Sequence, residues 1–204
     1  MTFKAPYFSD SDIRRRADEF LKDHNRQRRI PVPIETIVEV SYRIDIVPMP
    51  GLQKAFDVVA FISKDLSEIR VDDFVFANRP NRYRFSLAHE LGHRVLHADV
   101  WEQLTFDDIA TWKNFVTDAI PEREYSFLEY HANTFAGLVL VPPNELIEMF
   151  RTCIEMAKSA QLDVADESTG VREYVEAHLG RKFEVSEDVI HRRIEKDGLW
   201  NTIR

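Results

Sequence analysis

The order of local patterns along this 204-residue chain predicts an α+β fold: helices first, a small sheet next, then helices to the end. Three observations support it. Apolar residues recur at helical spacing up to Val40, strand-like runs cluster between Tyr42 and Val75, and helical spacing returns from Asn81 onward. Strands and helices do not alternate, so a doubly wound parallel sheet is not expected. A hydrophobic content of 44%, with 14 Phe, suits one domain with a small appendage. The expected division is residues 1–160, the main domain with its N-terminal helices, and 161–204, a helix-turn-helix-like helical segment.

Asp12 to His24 reads as an amphipathic helix, with Ile13, Ala17, Phe20 and Leu21 at helical spacing. "RIPVPIETIVEV" gives a Pro-punctuated entry to a second, short helix with Ile34, Ile37 and Val38 inward. "YRIDIVPMP" alternates and is β-branched, predicting a strand ended by Pro48 and Pro50. "AFDVVAFIS" and "SEIRVDDFV" predict two more strands around a polar turn at Lys64–Ser67. From Asn81, a candidate N-cap, to His97 the pattern is helical. Residues 100–122 are acidic and aromatic, and predict helical pieces broken at Pro121. Helix is expected again from Glu124 to Leu140 and, capped by Asn144, from Glu145 to Lys158. "SAQLDVADESTG" is loop-like; "VREYVEAHL", "GRKFEVS" and "EDVIHRRIEKDGLW" read as helix, turn and helix.

Bulk chemistry excludes several classes. A net charge of −8 argues against non-specific binding to phosphate backbones. The N-terminal stretch has no apolar segment of a secretory signal, and the longest apolar run, "FAGLVLV", is far short of the ~20 residues of a membrane span. Cys153, the single cysteine, lies in an apolar helical pattern and is expected to be a buried, inert thiol. A reducing, cytoplasmic setting is the expectation.

The chemistry concentrates in "RFSLAHELGHRVLH", three of the seven histidines within nine residues. His89-Glu90-Leu91-Gly92-His93 is an H-E-x-x-H motif in helical context. Residues four apart share a helix face, so two imidazoles can converge on one Zn²⁺. Glu90 falls beside the metal, where its carboxylate can serve an attacking water as general base. Gly92 lets a neighbouring segment approach the helix closely.

A catalytic zinc needs a third protein ligand. His97 does not suit: eight residues from His89, it lies ~12 Å along the same helix. It is expected to be a helix-end residue favoured by the negative dipole there. The class that uses a third histidine needs Gly and His where this chain has Leu96 and Asp99. The better candidate is Glu129, on a helix face continued by Ala132, Asn133 and Ala136; the two alanines permit close packing, and Asn133 could orient a ligand. From the residues alone Glu122, Glu124 and His131 compete with it. For an oxyanion donor the candidates are Tyr125, Tyr130, His131 and Tyr83. Arg79, Arg82 and Arg84, ahead of the motif, are either solvated charges or receivers of an acidic substrate.

"RFSLAHELGHRVLH" and "EYHANTFAGLVLVP" together resemble the paired signature of the ImmA/IrrE zinc metallopeptidases, and weaker likeness covers most of the chain. The resemblance implies a zincin-like fold, one Zn²⁺ per chain held by His89, His93 and Glu129 (or another divalent ion in vitro), and Glu90 as catalytic base. It also implies a protein substrate, a cytoplasmic helix-turn-helix repressor. The segment 100–124 is longer and more aromatic than the family pattern. Two rival readings come from other classes. One is a DNA-binding regulator using residues 171–200, where Arg172, Arg181, Lys182, Arg192 and Arg193 are countered by Glu173, Glu176, Glu184, Glu187, Asp188 and Glu195. The other is a metal-containing partner that masks a regulator without cutting it, which would have no need of Glu90.

Overall fold

The computed structural model describes residues 4–103, 109–111, 120–164 and 170–203. Most of the helical stretch predicted within 100–122 lies outside them. The α+β expectation holds: a three-stranded sheet sits against a helical body.

Helix α1 (Asp10–His24) starts earlier than its apolar spacing indicates, because Ser9 and Asp12 form a reciprocal capping box. Ile13, Ala17 and Phe20 are buried, as the spacing requires. The second helix is one turn, α2 (Ile34–Thr36), continued by a π-helical turn at Ile37–Ser41. Strand β1 (Asp45–Met49) runs through Pro48 instead of stopping there. The sheet order β1-β3-β2 explains this, because β1 is an edge strand and Pro needs no ladder partner on its free side.

The run "AFDVVAFIS" is mostly not strand. A short helix, α3 (Leu52–Phe56), is bracketed by left-handed Gly51 and Asp57, and β2 is only Ala60–Ile62. Strand β3 (Glu68–Asp72) pairs parallel with β1 and antiparallel with β2. It stops at Asp72, whose carboxylate accepts from the Val75 N–H and caps α4 (Asp73–Asn78), a helix that its β-like residues concealed.

Helix α5 (Pro80–Leu96) carries the H-E-x-x-H motif. Pro80 occupies its first turn, where no N–H is needed. Asn81 is therefore inside the helix and not its cap; its Nδ2 donates to the Val185 carbonyl. Helix α6 (Ala98–Gln103) follows, then α7 (Glu122–Leu140), started by Pro121. Helix α8 (Pro143–Ser159) likewise begins at a proline, which leaves Asn144 within its first turn and not at its cap. Helix α9 (Val171–Phe183) absorbs most of "GRKFEVS", and Ser186 caps α10 (Glu187–Asp197). A 3₁₀ turn at Leu199–Thr202 ends the described chain.

Helices α5 and α7 form the centre. Leu87, Leu91, Ala132, Phe135 and Ala136 between them are fully buried. A methyl group on Gly92 would stand 3.2 Å from the Ala132 Cα and 3.2 Å from the Phe135 ring. The two backbones therefore meet at the one motif position without a side chain. Around this pair, Arg84 ties the start of α5 to the Val32 carbonyl at 2.8 Å and to Glu184, so it is a clamp and not a solvated charge. Asp197 pairs with both Arg14 and Arg193, binding α10 to α1. No helix among the described residues is long and apolar enough to cross a membrane. Cys153 is buried and unbridged, and burial raises its thiol pKa.

Candidate metal centre

The close crossing at Gly92 sets α7 at a height where Glu129 faces the histidines one helical turn away on α5. Glu129 Oε2 lies 3.4 Å from His89 Nε2, and Oε1 lies 3.4 Å from His93 Nε2. The two imidazole Nε2 atoms are 3.1 Å apart. One ligand atom from each of the three residues falls within 4.8 Å of the others, so the group could hold a metal ion. Two ring nitrogens and a carboxylate are a donor set that suits zinc. The structure therefore brings together Glu129 and the motif histidines. Of the competitors, Glu124 instead accepts from the Ala5 N–H at 2.7 Å.

Electrostatics describe the same unit. Burial opposes charge on His89, but the hydrogen bond to Glu129 and the charge of Glu90 raise its pKa to about 9. Burial alone would raise the pKa of Glu129; the hydrogen bonds from His89 and His93 outweigh it and hold the carboxyl well below its ordinary range. Glu90 is also buried, which raises its pKa, only partly offset by the two histidines. Its Oε2 accepts from the Ile62 N–H at 3.0 Å, so the sheet edge at β2 holds the carboxylate in place.

Neighbouring side chains hydrogen-bond to the two motif histidines. His89 Nδ1 is 3.1 Å from Asn133 Oδ1, as the spacing along α7 suggested. His93 Nδ1 is 3.1 Å from His97 Nδ1, and His97 Nε2 is 3.2 Å from His131 Nδ1; the His131 ring also hydrogen-bonds to the Phe8 backbone. If His93 keeps its Nε2 lone pair for a metal, its Nδ1–H must donate to His97, and His97 Nε2–H to His131. The direction of the whole relay follows from that one assignment.

His97 is at the C-terminal end of α5, as expected, but it is not a charged residue in a helix dipole. It is 1% exposed, and burial together with the neighbouring histidines drives its pKa down to about 2. Its role had no signal in the sequence, because its partner His131 is 34 residues away.

The cleft, of about 270 Å³, is lined by Val58–Phe61, Phe85, His89, Glu90, His93, Trp101, Tyr125, Glu129 and Asn133, among others. Of the oxyanion candidates only Tyr125 reaches it; burial, followed by the Glu129 charge and hydrogen bond, raises its phenol pKa. Tyr130 is half exposed and bonded to Asp10 and Lys196 on the outer side of α7. His131 is committed to the relay. Tyr83 donates to Glu35 at 2.8 Å. Successive residues of a helix point about 100° apart, so a neighbour of Glu129 in sequence cannot share its face. Trp101, whose ring lies 4.8 Å from that of His93, lines the cleft without having been singled out by the sequence.

Residues 76–195 match the M78 peptidase family model, described as the IrrE N-terminal-like domain. No curated protein matches the chain. Among solved structures, a Mycobacterium tuberculosis transcriptional regulator superimposes with a TM-score of 0.53 at 18% identity, a likeness of fold. The superposition covers 90% of this chain and 46% of that one, so the chain spans less than half of the regulator's length. With the family model covering more than half of its residues, the chain belongs to the M78 metallopeptidase family and carries its α+β, zincin-like fold.

Proposed function

We propose that this chain is a zinc-dependent endopeptidase that cuts a cytoplasmic regulatory protein, with a helix-turn-helix repressor as the substrate class. The observation that carries the reading is the convergence of His89, His93 and Glu129 from two helices in a cleft that also holds Glu90. Membership in a metallopeptidase family supports the peptidase chemistry.

In this reading His89, His93 and Glu129 hold the ion. When bound, it supplies Lewis acidity toward the scissile carbonyl and eases deprotonation of water. Glu90 takes the proton of the attacking water. The Ile62 N–H occupies Oε2, which leaves Oε1 to accept it. Glu90 then passes that proton to the leaving amine; burial raises its pKa, which favours its holding the proton between the two transfers. The Tyr125 hydroxyl donates to the oxygen on which charge develops. Asn133 and the His97–His131 relay fix the ring orientations of His89 and His93.

The deciding experiment incubates the protein with purified helix-turn-helix regulators from the same source, any encoded beside its gene first, with and without a chelator, and reads fragments by mass spectrometry. Cleavage that vanishes with chelator and returns with zinc supports the reading. An intact regulator that nevertheless stays bound favours masking. The DNA-binding alternative loses ground on a specific observation: Arg193 is buried against Asp197 at 2.8 Å and is not available to a phosphate.

A further inference from the structure

We infer that the substrate surface continues out of the metal cleft into a second groove between α5, α7 and α10, which takes an acidic–apolar segment of the substrate polypeptide. This rests on the peptidase reading above and adds where, and with what preference, the chain is held.

The metal cleft, at about 270 Å³, has room for little more than the reacting peptide and its nearest side chain. Two of its walls do not end there. Phe85 and Asn133 also line a neighbouring cavity of about 580 Å³. Its α7 wall is the face of Asn133, Thr134 and Gly137, and its far wall is α10. Gly137 keeps the floor low: a methyl group there would meet the aliphatic part of Arg193 at 3.4 Å. A polypeptide crossing the metal site can therefore pass Asn133 into this groove without a break.

The lining chemistry selects the occupant. Phe85 on one side and Val189 on the other are half-buried apolar surfaces facing the same space. The cations there are Arg82, Arg192, Arg193 and Lys196, against Asp188 alone, in a chain whose net charge is −8. Arg193 is spent on Asp197, and Lys196 lies 3.1 Å from Asp10. The other two stay available, one on each wall. Arg82 is exposed and makes no ion pair among the described residues. Arg192 is 77% exposed, and its pair with Asp188 is a solvated one across a helical turn, which holds it weakly. An apolar side chain between Phe85 and Val189, flanked by carboxylates that reach Arg82 and Arg192, satisfies both features. A phosphate backbone would satisfy only the charge.

The test uses the zinc-loaded Glu90→Gln protein and fluorescein-labelled peptides of one apolar framework carrying Glu, Gln or Lys at the flanking positions. The Glu series should bind about tenfold tighter than the Lys series at low salt, and the gap should close as salt rises. Arg82→Glu with Arg192→Glu should invert the order while zinc content stays the same. Both residues are exposed, so folding is not at stake. An order that survives the charge reversal, equal binding of all three series, or no binding at all overturns the groove. So does duplex DNA proving to be the ligand that the reversal abolishes. Cleavage of the regulator by the protein with Glu90 intact is scored separately. Cutting without a charge preference removes only the groove, and a charge preference without cutting removes only the peptidase reading.

Discussion

Two histidine pairs lie side by side where α5 crosses α7, and they do opposite things. His89 and His93 face a carboxylate and an open cleft, and His89 is raised to a pKa of about 9. His97 and His131 face Phe8, Trp101 and each other, and His97 is pushed down to about 2. The imidazoles are the same; the environment differs. A histidine becomes a ligand where a second anionic donor shares its space, and it becomes a neutral hydrogen-bond relay where only apolar rings do. The inner pair hydrogen-bonds to the outer one through His97 and His93, and only the outer pair lines the cleft.

The sharpest test of this division is removal of the base from the outer region. Glu90→Gln keeps the shape and loses the proton acceptor. Cleavage should fall by about 10²–10⁴-fold or more. Zinc content, read by atomic absorption, should be unchanged, because Glu90 is not among the three residues that converge as a candidate metal site. A variant that cuts normally would remove Glu90 from the chemistry; one that loses its zinc would make it a ligand.

The second test compares the two regions directly through metal affinity. Glu129→Ala removes one of three donors and should abolish stoichiometric zinc binding at micromolar protein. His97→Phe leaves all donors in place but ends the relay, so affinity should drop about 10–100-fold. Equal losses would make the inner pair ligands in their own right; no loss from His97→Phe would reduce it to packing. For the unaltered chain, zinc must displace the proton that His89 holds up to a pKa of about 9. Apparent affinity should therefore rise with pH up to that point, with proton release visible as buffer-dependent heat in calorimetry.

Gly92 tests how the outer region is assembled. Gly92→Ala places a methyl group 3.2 Å from Ala132 and Phe135, tight enough that the neighbours must give by a few tenths of an ångström. A loss of about 1–3 kcal/mol in urea unfolding is expected, with weaker zinc binding as α7 moves Glu129 away from α5. Full stability together with full affinity would show that the helices have room to spare.

The outer region was legible in the sequence and the inner one was not, for a physical reason. His89, Glu90 and His93 are placed by helix periodicity alone; on the second helix periodicity put Glu129, Ala132 and Asn133 on one face, and the family resemblance singled out Glu129 from its competitors. What joined the two helices was the pairing of small residues, Gly92 against Ala132, which composition along each face already indicated. The relay depends instead on a contact across 34 residues between side chains that no period connects. The same limit applies to α3 and α4. Ala55–Phe56 at the end of α3 and Phe74–Val75 in α4 read as strand, and left-handed Gly51 and Asp57 with the Asp72 cap overrode that propensity. Tyr130 and His131 were nominated for adjacency to Glu129, and helical rotation carried both out of the cleft.

The smallest expected effect concerns the inner pair by itself. His97 has a native pKa of about 2 against an ordinary value of 6.5. Above the unfolded value neither state is protonated there, so the residue contributes no pH dependence. As pH falls below it, the unfolded chain takes up a proton that the native chain refuses, and stability is lost by about 1.4 kcal/mol per pH unit. His97→Asn should be less stable than the unaltered chain near neutrality, because the relay is cut. It lacks the titrating group, however, so the gap between the two should narrow steadily on acidification. Urea unfolding of both metal-free proteins at matched pH values measures that gap. A gap that stays constant from neutral to acid pH would mean that His97 accepts a proton in the folded state. The contrast between the two histidine pairs would then lie in geometry alone and not in charge.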